Sequence, residues 1–229
     1  MIFPAWSPNG HWIAYTKKNS SSHGADILLL NQTTGVSKNI FTDTVPSGGI
    51  SFSPDNKKIC FSSSHQVSKR AIYTINIDGT DLQQLTTDTA RYFNPQWSPD
   101  GKYIAYYTER GDYRDQVWLM RLQDKKEIKL TNDTLHNVYP CWRNDSKSVY
   151  YTSSDPHGTQ PDLKQIVSID IKTGVKNRIG HTEGAFYSSL SANGKKLATI
   201  KGKFPNTDIF ISDEKGKDLK CVTCGLLSN

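Results

Sequence analysis

The sequence predicts an all-β chain folded as a β-propeller of five four-stranded antiparallel blades. Three observations carry that expectation. First, one motif is written five times. Trp6-Ser7-Pro8-Asn9-Gly10 returns as Phe52-Ser53-Pro54-Asp55-Asn56 and as Trp97-Ser98-Pro99-Asp100-Gly101. It returns again as Trp142-Arg143-Asn144-Asp145-Ser146 and as Leu190-Ser191-Ala192-Asn193-Gly194, at successive intervals of 46, 45, 45 and 48 residues. A fixed period of this size marks a repeat architecture. Second, each repeat holds short β-prone runs divided by turn residues. Third, apolar residues alternate with period two, and no capped 3.6-period run suggests a helix.

The third repeat shows the elements most plainly. Asn94 to Ser98 is a short extended segment. Pro99-Asp100-Gly101 is a turn, because proline presets φ, aspartate bonds the backbone ahead of it and glycine accepts positive φ. Lys102 to Thr108 is rich in β-formers and reads as a second strand. A polar loop from Glu109 to Asp115 leads to a third strand, Gln116 to Leu122. Asp124-Lys125-Lys126 turns the chain into a fourth, Glu127 to Thr131. The other copies align on this template through Ile27, Ile72, Val117, Ile166 and Ile209 in the third strands. The blades are expected at about 1–44, 45–90, 91–135, 136–183 and 184–229, in a single domain 1–229.

Stacking explains the repeat. One small sheet cannot cover both of its faces, so each must pack on the next. The recurring apolar position, Trp6, Phe52, Trp97, Trp142 and Leu190, is therefore expected in the core between blades.

Bulk properties narrow the function classes. The chain has 229 residues, 35% of them hydrophobic, which suits strands that bury alternate side chains. The net charge is +6, but lysine and arginine are scattered through turns rather than gathered on one face, so nucleic acid is not an expected partner. No run reaches the 18 or more apolar residues of a membrane helix, and membrane insertion is not expected. The start, Met1-Ile2-Phe3-Pro4, lacks a basic n-region and an apolar h-region, so no signal peptide is expected. The four cysteines do not form a framework. Cys60 and Cys141 sit at strand positions. Cys221 and Cys224 form one C-x-x-C without the second pair a zinc site wants; inert thiols are expected, with a disulfide in an oxidising compartment as the alternative.

With those residues in view, Pro95 to Tyr106 resembles the repeat of TolB-type β-propellers, as does Ile72 to Gly79 followed by Leu85-Thr86. The resemblance covers essentially the whole chain. It implies a mainly non-enzymatic propeller that binds a protein partner in the bacterial periplasm; without a leader, the chain would otherwise fit the cytoplasm. TolB has six blades and a separate N-terminal α/β domain, so the alternative fold is part of a six-bladed propeller. Similar repeats gate prolyl-oligopeptidase-like serine peptidases and occur in polysaccharide lyases, which is the alternative function.

No enzyme motif appears in the chain: no G-x-S-x-G, no H-E-x-x-H and no phosphate-cradling G-x-x-x-x-G-K. No catalytic residue, metal ligand or cofactor is assigned. The six histidines, His11, His23, His65, His136, His157 and His181, read as surface-loop residues. Asp43, Asp88, Asp133 and Glu183 recur at the crossing into the next blade, where carboxylates bond nearby backbone donors. The blade-entry loops carry the best binding candidates, Tyr92, Phe93, His136, Asn137, Tyr139 and Tyr187. They belong on one face, around the mouth of the central channel. Aromatic groups on loops serve binding sites, and the same rings could instead plug the channel. A protein is the expected partner, with a glycan as the alternative.

Overall fold

The computed structural model describes residues 4–20, 24–43, 48–65, 67, 69–110, 114–157, 164–203 and 206–225. Every regular element among them is a β-strand. Blade 1 comprises β1 (Ala5–Trp6), β2 (Trp12–Lys18), β3 (Ala25–Asn31) and β4 (Ser37–Asp43). Blade 2 comprises β5 (Gly48–Phe52), β6 (Lys58–Ser63), β7 (Ala71–Asn76) and β8 (Gln83–Gln84). Blade 3 comprises β9 (Arg91–Trp97), β10 (Tyr103–Glu109), β11 (Asp115–Arg121) and β12 (Lys126–Lys129). Blade 4 comprises β13 (His136–Trp142), β14 (Ser148–Ser154), β15 (Gln165–Asp170) and β16 (Lys176–Arg178). Blade 5 comprises β17 (Ala185–Leu190), β18 (Lys196–Lys203), β19 (Asn206–Asp213) and β20 (Lys220–Cys221). Within each sheet the strands pair in sequence order, all antiparallel. The first strands of consecutive blades approach one another at the centre. The chain is a five-bladed β-propeller.

The repeated motif turns out to be turn chemistry. In blade 3 the Ser98 hydroxyl donates to Asp100 Oδ1 at 2.7 Å and accepts the Tyr103 N–H at 2.9 Å. Ser7, Ser53 and Ser191 make the same pair of bonds in their own blades. A serine followed two residues later by aspartate or asparagine thus closes the first hairpin of four blades and satisfies backbone donors that a short turn leaves unpaired. A second repeated device fastens the outer strand. The hydroxyls of Thr86, Thr131, Thr182 and Thr223 accept the N–H groups of Ile72, Val117, Ile166 and Ile209.

The core lies between blades. Four apolar clusters join blade 1 to 2, 2 to 3, 3 to 4 and 4 to 5. Phe52 and Trp142 are buried in them, and Trp97 and Leu190 pack against them. Trp6 departs from expectation. It occupies the same motif position but is 61% exposed, because this position packs against the preceding blade and no cluster among the described residues joins blade 5 to blade 1. Ile209 departs for the complementary reason. Ile27, Ile72, Val117 and Ile166 are fully buried against the following blade, whereas Ile209 of the last blade is 42% exposed.

Two further expectations change. The six binding candidates expected on blade-entry loops lie in the first strands instead: Tyr92 and Phe93 in β9, His136, Asn137 and Tyr139 in β13, and Tyr187 in β17. Cys221 and Cys224, expected as thiols, form a disulfide with a Cα–Cα distance of 5.7 Å. His23 and the segment Met1-Ile2-Phe3 lie outside the described residues. Among the described residues no helix is long and apolar enough to cross a membrane.

Candidate functional site: an aromatic arc at the centre

The inner strands carry a feature that periodicity does not reveal. In blades 2 to 5 the first strand slips register against the second, between Gly48 and Ser51, Ala105 and Tyr107, Val138 and Cys141, and Phe186 and Ser188. Each slip contains a residue at positive φ: Gly49 (61°), Asn94 (49°), Tyr139 (55°) and Tyr187 (58°). A bulge re-aims side chains, and bulges gather near functional sites. Glycine and asparagine enter this conformation readily, but for tyrosine it costs about 1–2 kcal/mol. Pro95 and Pro140 follow two of these residues. A proline suits the unpaired bulge position, since it has no N–H to leave unsatisfied.

Two of these bulge residues, Tyr139 and Tyr187, join three neighbouring rings in a continuous arc. Phe93 stacks on Tyr107 at 5.2 Å between ring centroids. Tyr107 meets Tyr139 edge-on at 5.5 Å, Tyr139 stacks on Tyr187 at 4.0 Å, and Phe186 adjoins Tyr187 at 6.3 Å. The arc crosses blades 3, 4 and 5, and all five rings remain partly exposed. Cations cap its ends. The Arg70 guanidinium lies 5.5 Å over Phe93, and Lys164 Nζ lies 4.2 Å over Phe186. Both residues come from loops between second and third strands. Burial pushes the Arg70 and Lys164 pKa values below their ordinary ranges, and burial likewise raises the Tyr107 and Tyr187 phenols.

The six expected site residues therefore separate. Phe93, Tyr139 and Tyr187 lie in the arc, with Tyr107 linking them. Tyr92 is 1% exposed and faces the core between blades 2 and 3. Its hydroxyl donates to Asp88 Oδ1 at 2.8 Å and accepts a bond from Arg110. Asn137 is fully buried, and its Nδ2 donates to Asp133 Oδ1 at 2.6 Å and Gln116 Oε1 at 3.1 Å. These two residues fasten blade entries. His136 shares strand β13 with Tyr139, and its Nδ1 accepts the Asp115 N–H at 3.2 Å. Burial raises the Asp115 carboxyl above its usual value, although nearby His136 opposes the shift. The bulges, Tyr107, Arg70 and Lys164 escaped the sequence reading. Their one legible trace is the spacing of residues 49, 94, 139 and 187, which follows the repeat.

Two other clusters invite a chemical reading. Ser63, His65 and Asp43 gather where blade 1 meets blade 2. Ser63 Oγ donates to Asp43 Oδ2 at 2.5 Å, and His65 Nδ1 lies 3.3 Å from Asp43 Oδ1. The serine is fully buried and bonded to the carboxylate rather than to the imidazole, which is not the order of an activated nucleophile. Arg110 anchors the second cluster. It bonds Glu127 Oε2 at 2.6 Å and Asp88 Oδ2 at 2.9 Å, and its guanidinium lies 4.5 Å over Trp118. Lys69, Asp88, Arg91, Glu109 and Arg110 line an adjoining cavity of about 660 Å³. Its lining mixes three cations with two carboxylates, so it offers no single sign for a ligand to read.

A family model described as the TolB beta propeller domain matches residues 1–116. Among solved structures, the chain is similar to TolB from Acinetobacter baumannii, with 22% identity and a TM-score of 0.79 over 93% of this chain and 52% of that one. It is similar to a putative TolB from Agrobacterium tumefaciens, with 21% identity and a TM-score of 0.81 over 96% of this chain and 79% of that one. A chain from a nidogen/laminin complex shares the fold at 13% identity and a TM-score of 0.72, over 95% of this chain and 78% of that one. The chain thus spans about half the length of the Acinetobacter protein. No curated protein matches it in sequence.

Proposed function

This chain belongs to the TolB β-propeller domain family, and from that premise we propose that it is a non-enzymatic binding module whose protein partner docks on the aromatic arc at the centre of the blades. The observation that carries the reading is the pair Tyr139 and Tyr187, both held at positive φ and stacked 4.0 Å apart across two blades. Backbone strain of this kind persists where the surroundings over-determine it, and it gathers at ligand sites. Aromatic rings supply large contact area with few rotatable bonds, which is why they dominate binding hot spots. Arg70 and Lys164 at the two ends suit a partner that presents acidic groups around an apolar segment. The likeness to a putative TolB supports the fold, and the docking role rests on the arc.

The test is an affinity comparison. A partner recovered from cells of the source organism and purified would be titrated by calorimetry against the wild-type chain, Tyr187→Ala, Phe93→Ala and Lys164→Ala. A central hot-spot ring contributes about 2 kcal/mol or more, so Tyr187→Ala should weaken binding about thirtyfold. Lys164→Ala should weaken it less and reduce its salt dependence. Unchanged affinity in all three variants would remove the arc as the docking surface.

A further inference from the structure

We propose that Cys221, Cys224 and Asp208 form a zinc site at the outer edge of blade 5 when the disulfide is reduced. The site grows out of the repeated threonine fastening. Thr223 accepts the Ile209 N–H, as its counterparts do in blades 2 to 4, and it also donates to Asp208 Oδ1 at 2.9 Å. In blade 5 this threonine sits inside a C-x-x-C, whereas Thr86, Thr131 and Thr182 have no cysteine beside them. One ligand atom from each of Asp208, Cys221 and Cys224 lies within 4.8 Å of the other two. The carboxylate supplies the donor that spacing along the sequence could not show, since β19 brings it beside β20.

The chemistry balances in two steps. A dithiol reductant attacks the Cys221–Cys224 bond; its two thiols become a disulfide, and both protein sulfurs become thiols. A divalent zinc ion then displaces the two thiol protons into solvent and takes both thiolates and one aspartate oxygen. Zinc–sulfur bonds of about 2.3 Å and zinc–oxygen bonds of about 2.0–2.2 Å put tetrahedral ligands about 3.4–3.8 Å apart. The three donors reach that spacing by small side-chain rotations once the sulfurs are free. The Cys224 N–H already points at Cys221 Sγ, at 2.9 Å, and a donor aimed at sulfur favours the thiolate a metal needs. The bond from Thr223 fixes the carboxylate as outer-shell partners of metal ligands do. Paired thiolates with one carboxylate select zinc over magnesium or calcium, and three protein ligands leave a fourth position for water. The remaining cysteines do not compete. Cys60 is fully buried, and burial pushes the Cys141 thiol up to about 11.

The experiment uses the full chain, reduced with a dithiol that is then removed under nitrogen, beside the oxidised chain. Zinc uptake would be measured by competition with a chromogenic chelator, and cobalt(II) substitution would be followed optically. The reduced chain should bind one zinc per molecule and, with cobalt, show a thiolate-to-metal charge-transfer band; the oxidised chain should do neither. Cys221→Ser and Cys224→Ser should abolish the band, and Asp208→Asn should weaken zinc at least tenfold. Absence of the cobalt band in the reduced wild-type chain overturns the proposal without any variant having to fold. Wild-type zinc affinity in Asp208→Asn or in either serine variant overturns it as well.

Discussion

Tyr139 of blade 4 lies flat against Tyr187 of blade 5, with ring centroids 4.0 Å apart and planes 21° from parallel. Both residues are bulge positions at positive φ, so the stack offsets part of the backbone strain that presents it. Aromatic pairs contribute about 0.5–1.5 kcal/mol beyond the area they bury. A double-mutant cycle of Tyr139→Ala and Tyr187→Ala, read by urea unfolding, should therefore return a coupling of about 1 kcal/mol between the two sites. A coupling near zero would mean that the rings do not hold one another in solution.

The same motif position should respond in opposite ways in two blades. Trp142 is 7% exposed, packs on Ala105, Val117 and Leu119 of blade 3, and donates its Nε1–H to the Gln96 carbonyl at 2.9 Å. Trp142→Ala should cost about 3–5 kcal/mol of unfolding free energy. Trp6→Ala removes a largely solvated ring and should cost about 0.5 kcal/mol or less. Equal losses in chemical denaturation would show that something covers Trp6 in solution as fully as blade 3 covers Trp142.

These contrasts mark how far the sequence could be read. The blade architecture was legible because the Ser98–Asp100 turn and the Thr131 fastening are local chemistry that leaves a residue pattern at a fixed interval. The exposure of Trp6 was not legible, because burial depends on what packs against a position rather than on the residue that fills it. The site was half legible. Aromatic entry segments stood out, but residue type alone does not part Tyr92 from Tyr139: Tyr92 shares its repeat position with buried Asn137, whereas Tyr139 shares the bulge position of Asn94. Lys164 and Phe186 are distant enough in the chain that no spacing rule links a cation to that ring. Asp208 was missed for the same reason: it reaches Cys221 and Cys224 across neighbouring strands.

An acid-side titration tests the outer hairpin of blade 3. Arg121 Nε and Nη2 fork onto the two oxygens of Asp124 at 2.9 and 2.6 Å, and the Lys126 N–H adds a bond at 3.2 Å. The bond from Arg121 is the main cause that holds the Asp124 carboxyl at about 2, against about 3.9 in an unfolded chain. A folded value below the unfolded one means that the contribution is complete above about pH 3.9 and disappears as pH falls through about 2. Carboxyl carbon NMR should find that low midpoint in the wild-type chain, and Arg121→Gln should move it up toward 3.9. A wild-type midpoint already near 3.9 would show that the fork does not persist in water.

Gly49 tests whether the bulges are a structural necessity. It sits at φ 61°, and a Cβ there would come within 2.5 Å of Asn94 Cα, the bulge residue of the next blade. Gly174 offers a control: it has φ 73°, yet a Cβ there meets nothing within 4 Å. Gly174→Ala should carry the conformational cost alone, about 1–2 kcal/mol. Gly49→Ala carries that cost plus the displacement of one inner strand from its neighbour, and should lose about 3 kcal/mol or more. Because Asn94 follows Phe93 directly, Gly49→Ala should also disturb the Phe93–Tyr107 stack. Near-ultraviolet circular dichroism would register that change, while Gly174→Ala should leave the aromatic signal as it is. Matched unfolding losses and matched spectra for the two variants would show that the inner strands have room to part, and that the centre of the propeller does not hold the arc in place.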